Sequence, residues 1–410
     1  MKTTIAFFMP EFPGHSHTWL WREICGLREC GLTVHLASTR PPKPHDKAKH
    51  AFATAADCKV FYTWPPKPLN LLSFAAWSVS NPRRVANCIS YARALKRDGG
   101  KSIHHNLALM LPAWRLVCWC RKHGIRHIHV ATPANSIIIA QLACIMADFS
   151  CDTTINAKLE WWGGAMHEKL SRCSSVFPVA EWMRDQIAHK YPDILSRTVV
   201  ARHGVDIETW YPPTHLPDDD GLFQITSVGR LHPAKGHDDL LRALRILLDR
   251  GRDVQLHIVG GGSDYDRLSQ LIQELDIADH ADLTGPLHES GVRAILETSN
   301  IFVLASHAEA LGVVFMEAMA MKLPVIATRT DGAQEIVENG VTGILVNIKN
   351  PDEIANAIES LLDDPEQRSS MATNGLKRVR EQFDSRVGAQ IVARQIVLSL
   401  EARDEPLEVH

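Results

Sequence analysis

The sequence predicts an α/β protein made of two doubly wound, parallel-sheet domains. Three observations predict it. At 410 residues the chain is too long for one ordinary domain. Short apolar runs alternate with longer amphipathic ones through both halves, the pattern of parallel strands covered by helices. Between the halves, over residues 206–222, periodicity gives way to prolines and to three aspartates, Asp218 to Asp220, as expected of a linker.

The first half opens on a strand at residues 4–9, broken by a loop that contains Gly14. A helix over 18–30 follows, striped by Leu20, Ile24 and Leu27 and ended by Gly31. A second strand covers 33–38. Gly14 stands where the backbone turns sharply or comes close to something. A short strand at 60–62 precedes a mostly helical stretch, 69–123. Its many cations face only Asp98, and Trp77, Trp114 and Trp119 are interleaved with them. Two readings stay open there: a surface for an anionic bilayer, or core helices with a solvated basic face. Alternation then resumes, with strands at 125–130, 153–156, 176–179 and 198–202 and helices at 133–148, up to 172, and at 181–190.

In the second half, strands are expected at 224–228, 254–259, 281–283, 301–304, 324–327 and 343–346. The helix at 264–275 carries Leu268, Leu271, Ile272 and Leu275 on one face. Helices over 314–321 and 352–362 and a helical tail from 367 complete the pattern.

Composition narrows the function. With 45% hydrophobic and 22% charged residues the chain is globular, and a net charge of -3 offers no polycation to nucleic acid. The apolar start, 1–9, is too short for a signal peptide, and no apolar run reaches the length of a membrane span. A cytoplasmic protein is expected, at most peripheral on the inner face of the plasma membrane. Nine cysteines, all before Ser174, suggest free thiols. Cys118, Cys120, His123 and His127 match no standard zinc spacing, so no metal site is expected.

The chemistry-bearing residues of the second half nearly all follow strands. Gly229-Arg230 and Lys235-Gly236 come after the first, Gly260-Gly261-Gly262 after the second and Gly285 after the third. Glu309 follows the fourth, with Glu317 in the next helix, and Gly332 and Glu335 follow the fifth. In a parallel sheet these loops share the carboxyl edge, where ligands bind. Arg230 and Lys235 suit a diphosphate, and Glu309 and Glu317 suit sugar hydroxyls. Gly312 and Val313 offer backbone N–H groups at a helix start. Alternatively, Lys235 is an ordinary surface lysine and the two glutamates are solvated charges.

Over 223–362 these residues resemble glycosyltransferase family 4. The likeness runs from Gly229-Arg230-Leu231 through Glu309-Ala310-Leu311-Gly312 and Glu317-Ala318-Met319-Ala320 to Thr342-Gly343. The overall layout looks like bacterial exopolysaccharide transferases, the colanic acid type included. The resemblance implies the GT-B fold, with two Rossmann-like domains facing across a cleft. It divides the chain into an acceptor domain (1–205), a linker (206–222), a donor domain (223–383) and a last helix (384–410) that returns to the first domain.

It also implies a retaining hexosyl transfer from a nucleoside diphosphate sugar to a glycan or lipid-linked acceptor, with no cofactor and no metal. Arg230 and Lys235 would hold the diphosphate, Glu317 the ribose, and Glu309 with the backbone of Leu311, Gly312 and Val313 the transferred sugar. Gly229 and the backbone near Leu287 would line the donor site, and Gly14 would let the first-domain loop approach the phosphates. Where the family often carries a histidine, this chain has Asn156, which hydrogen-bonds but is neither acid nor base. His15, His17 and His129 are candidates to compensate. A nucleotide-sugar-binding subunit without turnover and a same-fold epimerase remain as alternatives.

Overall fold

The structure is a computed structural model and describes residues 3–14, 17–42, 58–214 and 222–404. His15 and Asp218 to Asp220 of the expected linker lie outside the described residues. The chain divides into two units, Met1–His203 with Arg386–His410, and Gly204–Ser385.

The first unit begins β1 (Thr4–Glu11), α1 (Thr18–Glu29), β2 (Thr33–Arg40), β3 (Val60–Tyr62). Four helices follow: α2 (Pro68–Ser80), α3 (Pro82–Arg97), α4 (Ile103–Ala108) and α5 (Met110–Lys122). Next come β4 (His127–Val130), α6 (Asn135–Ala147), β5 (Ser150–Ile155), α7 (Met166–Ser171), β6 (Val176–Pro178) and α8 (Glu181–Lys190). The strands are parallel, in the order β3-β2-β1-β4-β5-β6. The order reverses between β1 and β4, the switch point of a doubly wound sheet.

One expectation needs correction here, and one open question is narrowed. The segment 198–202 forms no ladder. It runs beside β6, where the Val199 and Ala201 N–H groups each donate at 3.0 Å to the Val176 and Pro178 carbonyls. Pro178 has no N–H to return, so pairing stops at a single bridge. Of the two readings left open for the basic stretch, core packing holds for its tryptophans. Trp77 and Trp114 are buried against each other, and Trp119 stacks on Phe61.

The second unit runs β7 (Phe223–Val228), α9 (His237–Asp249), β8 (Val254–Val259), α10 (Tyr265–Glu274), β9 (Ala281–Gly285), α11 (Glu289–Glu297), β10 (Ile301–Leu304). It continues with α12 (Val313–Ala320), β11 (Val325–Thr328), α13 (Asp331–Ile336), β12 (Gly343–Val346), α14 (Pro351–Asp363) and α15 (Pro365–Gln382). Its parallel order, β12-β11-β10-β7-β8-β9, repeats the connectivity of the first sheet and places the switch between β7 and β10. β10 is buried at every position, which explains its unbroken apolar run. α9 buries Leu240, Leu241, Leu244 and Leu247, while Asp238 and Asp239 in its first turn complement the helix dipole.

The chain ends in α16 (Ser385–Asp404). From Arg386 onward it belongs to the first unit, where Val392, Ala393 and Ile396 join the core that α1 builds from Leu20, Ile24 and Leu27. A Cβ on Gly26 would stand 2.6 Å from the Ala389 Cβ, so the helices touch at backbone distance. Among the described residues no helix is long and apolar enough to cross a membrane.

Candidate functional site

In the second unit the loops after β7 and β10, on either side of the switch point, carry Gly229, Arg230, Lys235 and Glu309. β7 delivers Gly229 and Arg230 to the carboxyl edge. A 3-10 turn, Pro233–Lys235, follows, and α9 begins after Gly236, which caps it in the left-handed region. β10 delivers Ser306, His307 and Glu309. The two loops are joined, since the His307 N–H donates to the Ala234 carbonyl at 2.8 Å.

Across that joint Lys235 Nζ forms an ion pair with Glu309 Oε2. The side chains are 24% and 11% exposed, so water screens the pair only in part. Glu309 is fixed further: Oε1 accepts from the Ala310 N–H at 3.2 Å, and its carbonyl accepts from Gly332 N–H at 3.1 Å. Leu311 is buried, and Gly312 (φ 78°) turns the chain into α12, whose first residue is Val313. Glu317 lies buried one turn later. Arg230 is exposed on its loop, and among the described residues it makes no ion pair. Leu287 is half-buried just past β9.

The three-glycine run has a packing cause. A Cβ on Gly260 would stand 1.9 Å from the Gly229 carbonyl oxygen, and one on Gly262 would stand 2.1 Å from that of Leu231. These glycines let the loop after β8 lie flat on the loop after β7. The contact is sealed by bonds from Gly229 N–H to Val259 O and from Leu231 N–H to Gly261 O, both 3.0 Å.

Sequence reasoning missed His237 and the His307–Asp239 pair (2.7 Å). Burial, reinforced by Lys235, pulls His237 down to about 4, so it is neutral near pH 7. No local signal joins Asp239 to a histidine in a loop so distant in sequence.

In the first unit, Asn156 follows β5 directly, and its shielded Oδ1 has no hydrogen-bond partner. The Gly14 N–H is already engaged, donating to His17 Nδ1 at 2.9 Å. His129 cannot serve a surface reaction, because it is wholly buried. Its Nδ1 meets Asp152 Oδ1 at 2.7 Å and its Nε2 meets Glu23 Oε1 at 3.2 Å. The other Asp152 oxygen meets His127 Nε2 at 3.0 Å, and the other Glu23 oxygen lies 3.3 Å from His203 Nε2. Burial alone would lower the His129 pKa, but the two carboxylates outweigh it and hold it at about 10. Burial would raise Glu23, yet His129 and His203 bring it to about 2. Polar residues at alternate positions, His127 and His129 beside Ser150, Asp152 and Thr154, were the available signal for this network.

The Cys118, Cys120, His123 and His127 set does not assemble. Cys118 is exposed, Cys120 is buried, and His127 is committed to Ser150 and Asp152. All nine cysteines are free. Among the described residues Asp238, Asp239 and His307 bring ligand atoms within 4.8 Å of one another. The His307–Asp239 hydrogen bond and the Asp238–Arg267 ion pair at 3.4 Å engage the members of that cluster.

Residues 213–378 match the family described as glycosyl transferases group 1. A GDP-mannose-dependent alpha-(1-6)-phosphatidylinositol monomannoside mannosyltransferase of Mycolicibacterium smegmatis is 32% identical over 308 residues, 70% of this chain and 81% of that protein. An alpha-D-kanosaminyltransferase of Streptomyces kanamyceticus is 37% identical over 147 residues, but the match spans only 36% of this chain and 38% of that relative. Anabaena HepE, solved in complex with UDP, has a TM-score of 0.73 at 18% identity, covering 97% of this chain and 100% of that one, a likeness of fold.

Proposed function

The chain belongs to the group 1 glycosyl transferases, and from that premise we propose that it moves a sugar, with retention, from a nucleoside diphosphate sugar to a glycan or lipid-linked acceptor. The observation that carries the proposal is the Lys235–Glu309 ion pair at the switch point, beside the N-terminus of α12. A diphosphate arriving there exchanges Glu309 for phosphate at Lys235 and finds a second cation in Arg230. The released carboxylate then accepts hydrogen bonds from the sugar hydroxyls, and Glu317 takes the ribose. As the leaving diphosphate gains charge, the fixed cations and the helix start stabilise it, which is electrostatic lowering of the barrier. The acceptor proton passes to the leaving phosphate on the same face of the sugar, so no side-chain base is required and Asn156 suffices as a hydrogen-bond donor.

Two cations and a helix dipole meet the charge, so the reading includes no metal. Turnover should survive a chelator, and loss of activity in EDTA restored by Mg²⁺ would refute that part. The main test is a thermal-shift panel of nucleotide sugars, followed by transfer assays with the donor that stabilises the fold. Glu309→Ala should cut transfer at least about a hundredfold while the fold persists. Donor binding without transfer in the unaltered protein would favour the non-catalytic subunit, the reading that Asn156 motivates.

A further inference from the structure

Helix α2 is apolar on both faces: it packs Phe74 and Trp77 inward and leaves an aliphatic face outside. A helix at a protein surface ordinarily turns its apolar stripe inward and its polar residues out. In α2 the inner side is held by buried Trp77 and half-buried Phe74, with the half-buried hydroxyls of Ser73 and Ser78 beside them. Ser73 Oγ accepts from Trp114 Nε1 at 3.0 Å, Ser78 Oγ donates to the Phe74 carbonyl at 2.8 Å, and Asn70 Oδ1 accepts from the Lys67 N–H. The outer half-turn holds leucine, alanine and valine. Leu69 is 74% exposed, Leu72 70%, Val79 84% and Leu71 53%, with Ala75 and Ala76 between them. At 100° per residue these six fall on one arc, and no charged residue interrupts the helix. A contiguous aliphatic face of this kind on an outward helix marks an interaction surface.

Charge selects the occupant. From Cys58 to Ala147 the only acid is Asp98. Exposed Lys67 directly precedes α2 and exposed Arg83 follows it by three residues. Cations at both ends of an uncharged apolar face suit anionic headgroups above an acyl boundary. The thirteen residues of α2 give a rod of roughly 20 Å, too short to span a bilayer and suited to lying in its surface. The tryptophans play no part, since Trp77 and Trp114 are buried.

We propose that α2 is an interfacial helix that seats the first unit on an anionic lipid bilayer through Leu69, Leu72 and Val79, with Lys67 and Arg83 on the headgroups. Seating of this kind serves the lipid-linked acceptor proposed above and rests on that reading for its purpose. Vesicle binding is measured without donor, so the two stand or fall separately.

The test is sedimentation of the full chain with vesicles of phosphatidylcholine alone and of phosphatidylcholine with 30 mol% phosphatidylglycerol (about one anionic lipid in three). The unaltered chain should bind the anionic vesicles, less so as salt rises, and bind the neutral ones weakly. A triple variant, Leu69→Gln with Leu72→Gln and Val79→Thr, should lose at least about tenfold in binding. The substituted sites are exposed, so its melting curve should match the original. Lys67→Gln with Arg83→Gln should flatten the salt dependence. Failure of the unaltered chain to bind anionic vesicles overturns the proposal, as does full binding by the triple variant. So does a dimer in light scattering that the triple variant dissolves, which would make a second copy the occupant. Loss of transfer in Glu309→Ala with vesicle binding intact would show that the two readings are independent.

Discussion

Glu23 and His129 show what a buried charge does for one unit of the protein. Each holds the other in its ionised form, and Asp152 adds a second negative neighbour to His129. The two shifts run in opposite directions. Glu23 falls from 4.5 to about 2, so its share of stability is present above pH 4.5 and fades as pH drops toward 2. His129 rises from 6.5 to about 10, so its share is complete below pH 6.5 and fades as pH climbs toward 10. Both are in full effect between pH 4.5 and 6.5. Glu23→Gln removes one partner of a buried pair and should cost about 3 kcal/mol in that window. Urea unfolding of both proteins across pH 5 to 10 checks it. The gap should narrow steadily above pH 7, and a constant gap would mean that lost packing, not charge, is responsible. Alternating polar residues on β4 and β5 hinted at the His129–Asp152 part, but the Glu23 contact was not legible in the sequence, because Glu23 meets His129 only after α1 docks on the sheet. The sequence did mark Lys235 and Glu309, each beside a strand end, but showed nothing of the ion pair between them.

Elements were more legible than contacts, with exceptions that have physical causes. Strands buried on both faces, such as β10, announce themselves as apolar runs, and loops between them by glycine. The expected strand at 198–202 failed because its neighbour ends in Pro178, a fact about pairing that no single-segment pattern contains. α2 was legible as a helix, but periodicity does not say which face turns inward, so its exposed leucines had to be seen. The entry to α12 offers a test at this scale. Gly312 and Gly251 share a φ of 78°, where any side chain is strained. Around Gly251 there is nothing within 4 Å of an added Cβ, whereas at Gly312 it would lie 2.5 Å from Phe315 Cδ2 and 3.1 Å from Glu309 Cγ. Gly251→Ala should therefore cost about 1 kcal/mol of backbone strain and leave donor affinity alone. Gly312→Ala should cost more and weaken donor binding by about tenfold or beyond, because relief of the clash displaces Glu309. Thermal melts and calorimetric titration of the donor separate these outcomes. Equal effects of the two substitutions would show that the crowding at Gly312 does not matter.

At the scale of the whole chain, the first unit is folded from two segments that are far apart in sequence. α16 returns after the entire second unit and supplies Ala389, Val392, Ala393 and Ile396 to a core otherwise built by the first 203 residues. Its i, i+3, i+4, i+7 stripe was readable as a helix face, but its destination came from the family resemblance and not from the residues. Burying two such β-branched side chains contributes roughly 3–6 kcal/mol, and the alanines with the Gly26 contact add to it. A domain is typically stable by only about 5–15 kcal/mol, so loss of this helix removes a large part of the margin. The second unit loses nothing comparable, since its core cluster draws on residues 223–371 alone. A chain ending at Asp384 should consequently show selective damage. Trypsin should cleave throughout the first unit while a fragment containing 223–383 resists, and nucleotide sugar should still protect that fragment. Calorimetry should show one transition weakened or missing and the other unchanged. Equal resistance of both units after truncation would mean that α16 is a passenger on the first unit and that the shared core is dispensable.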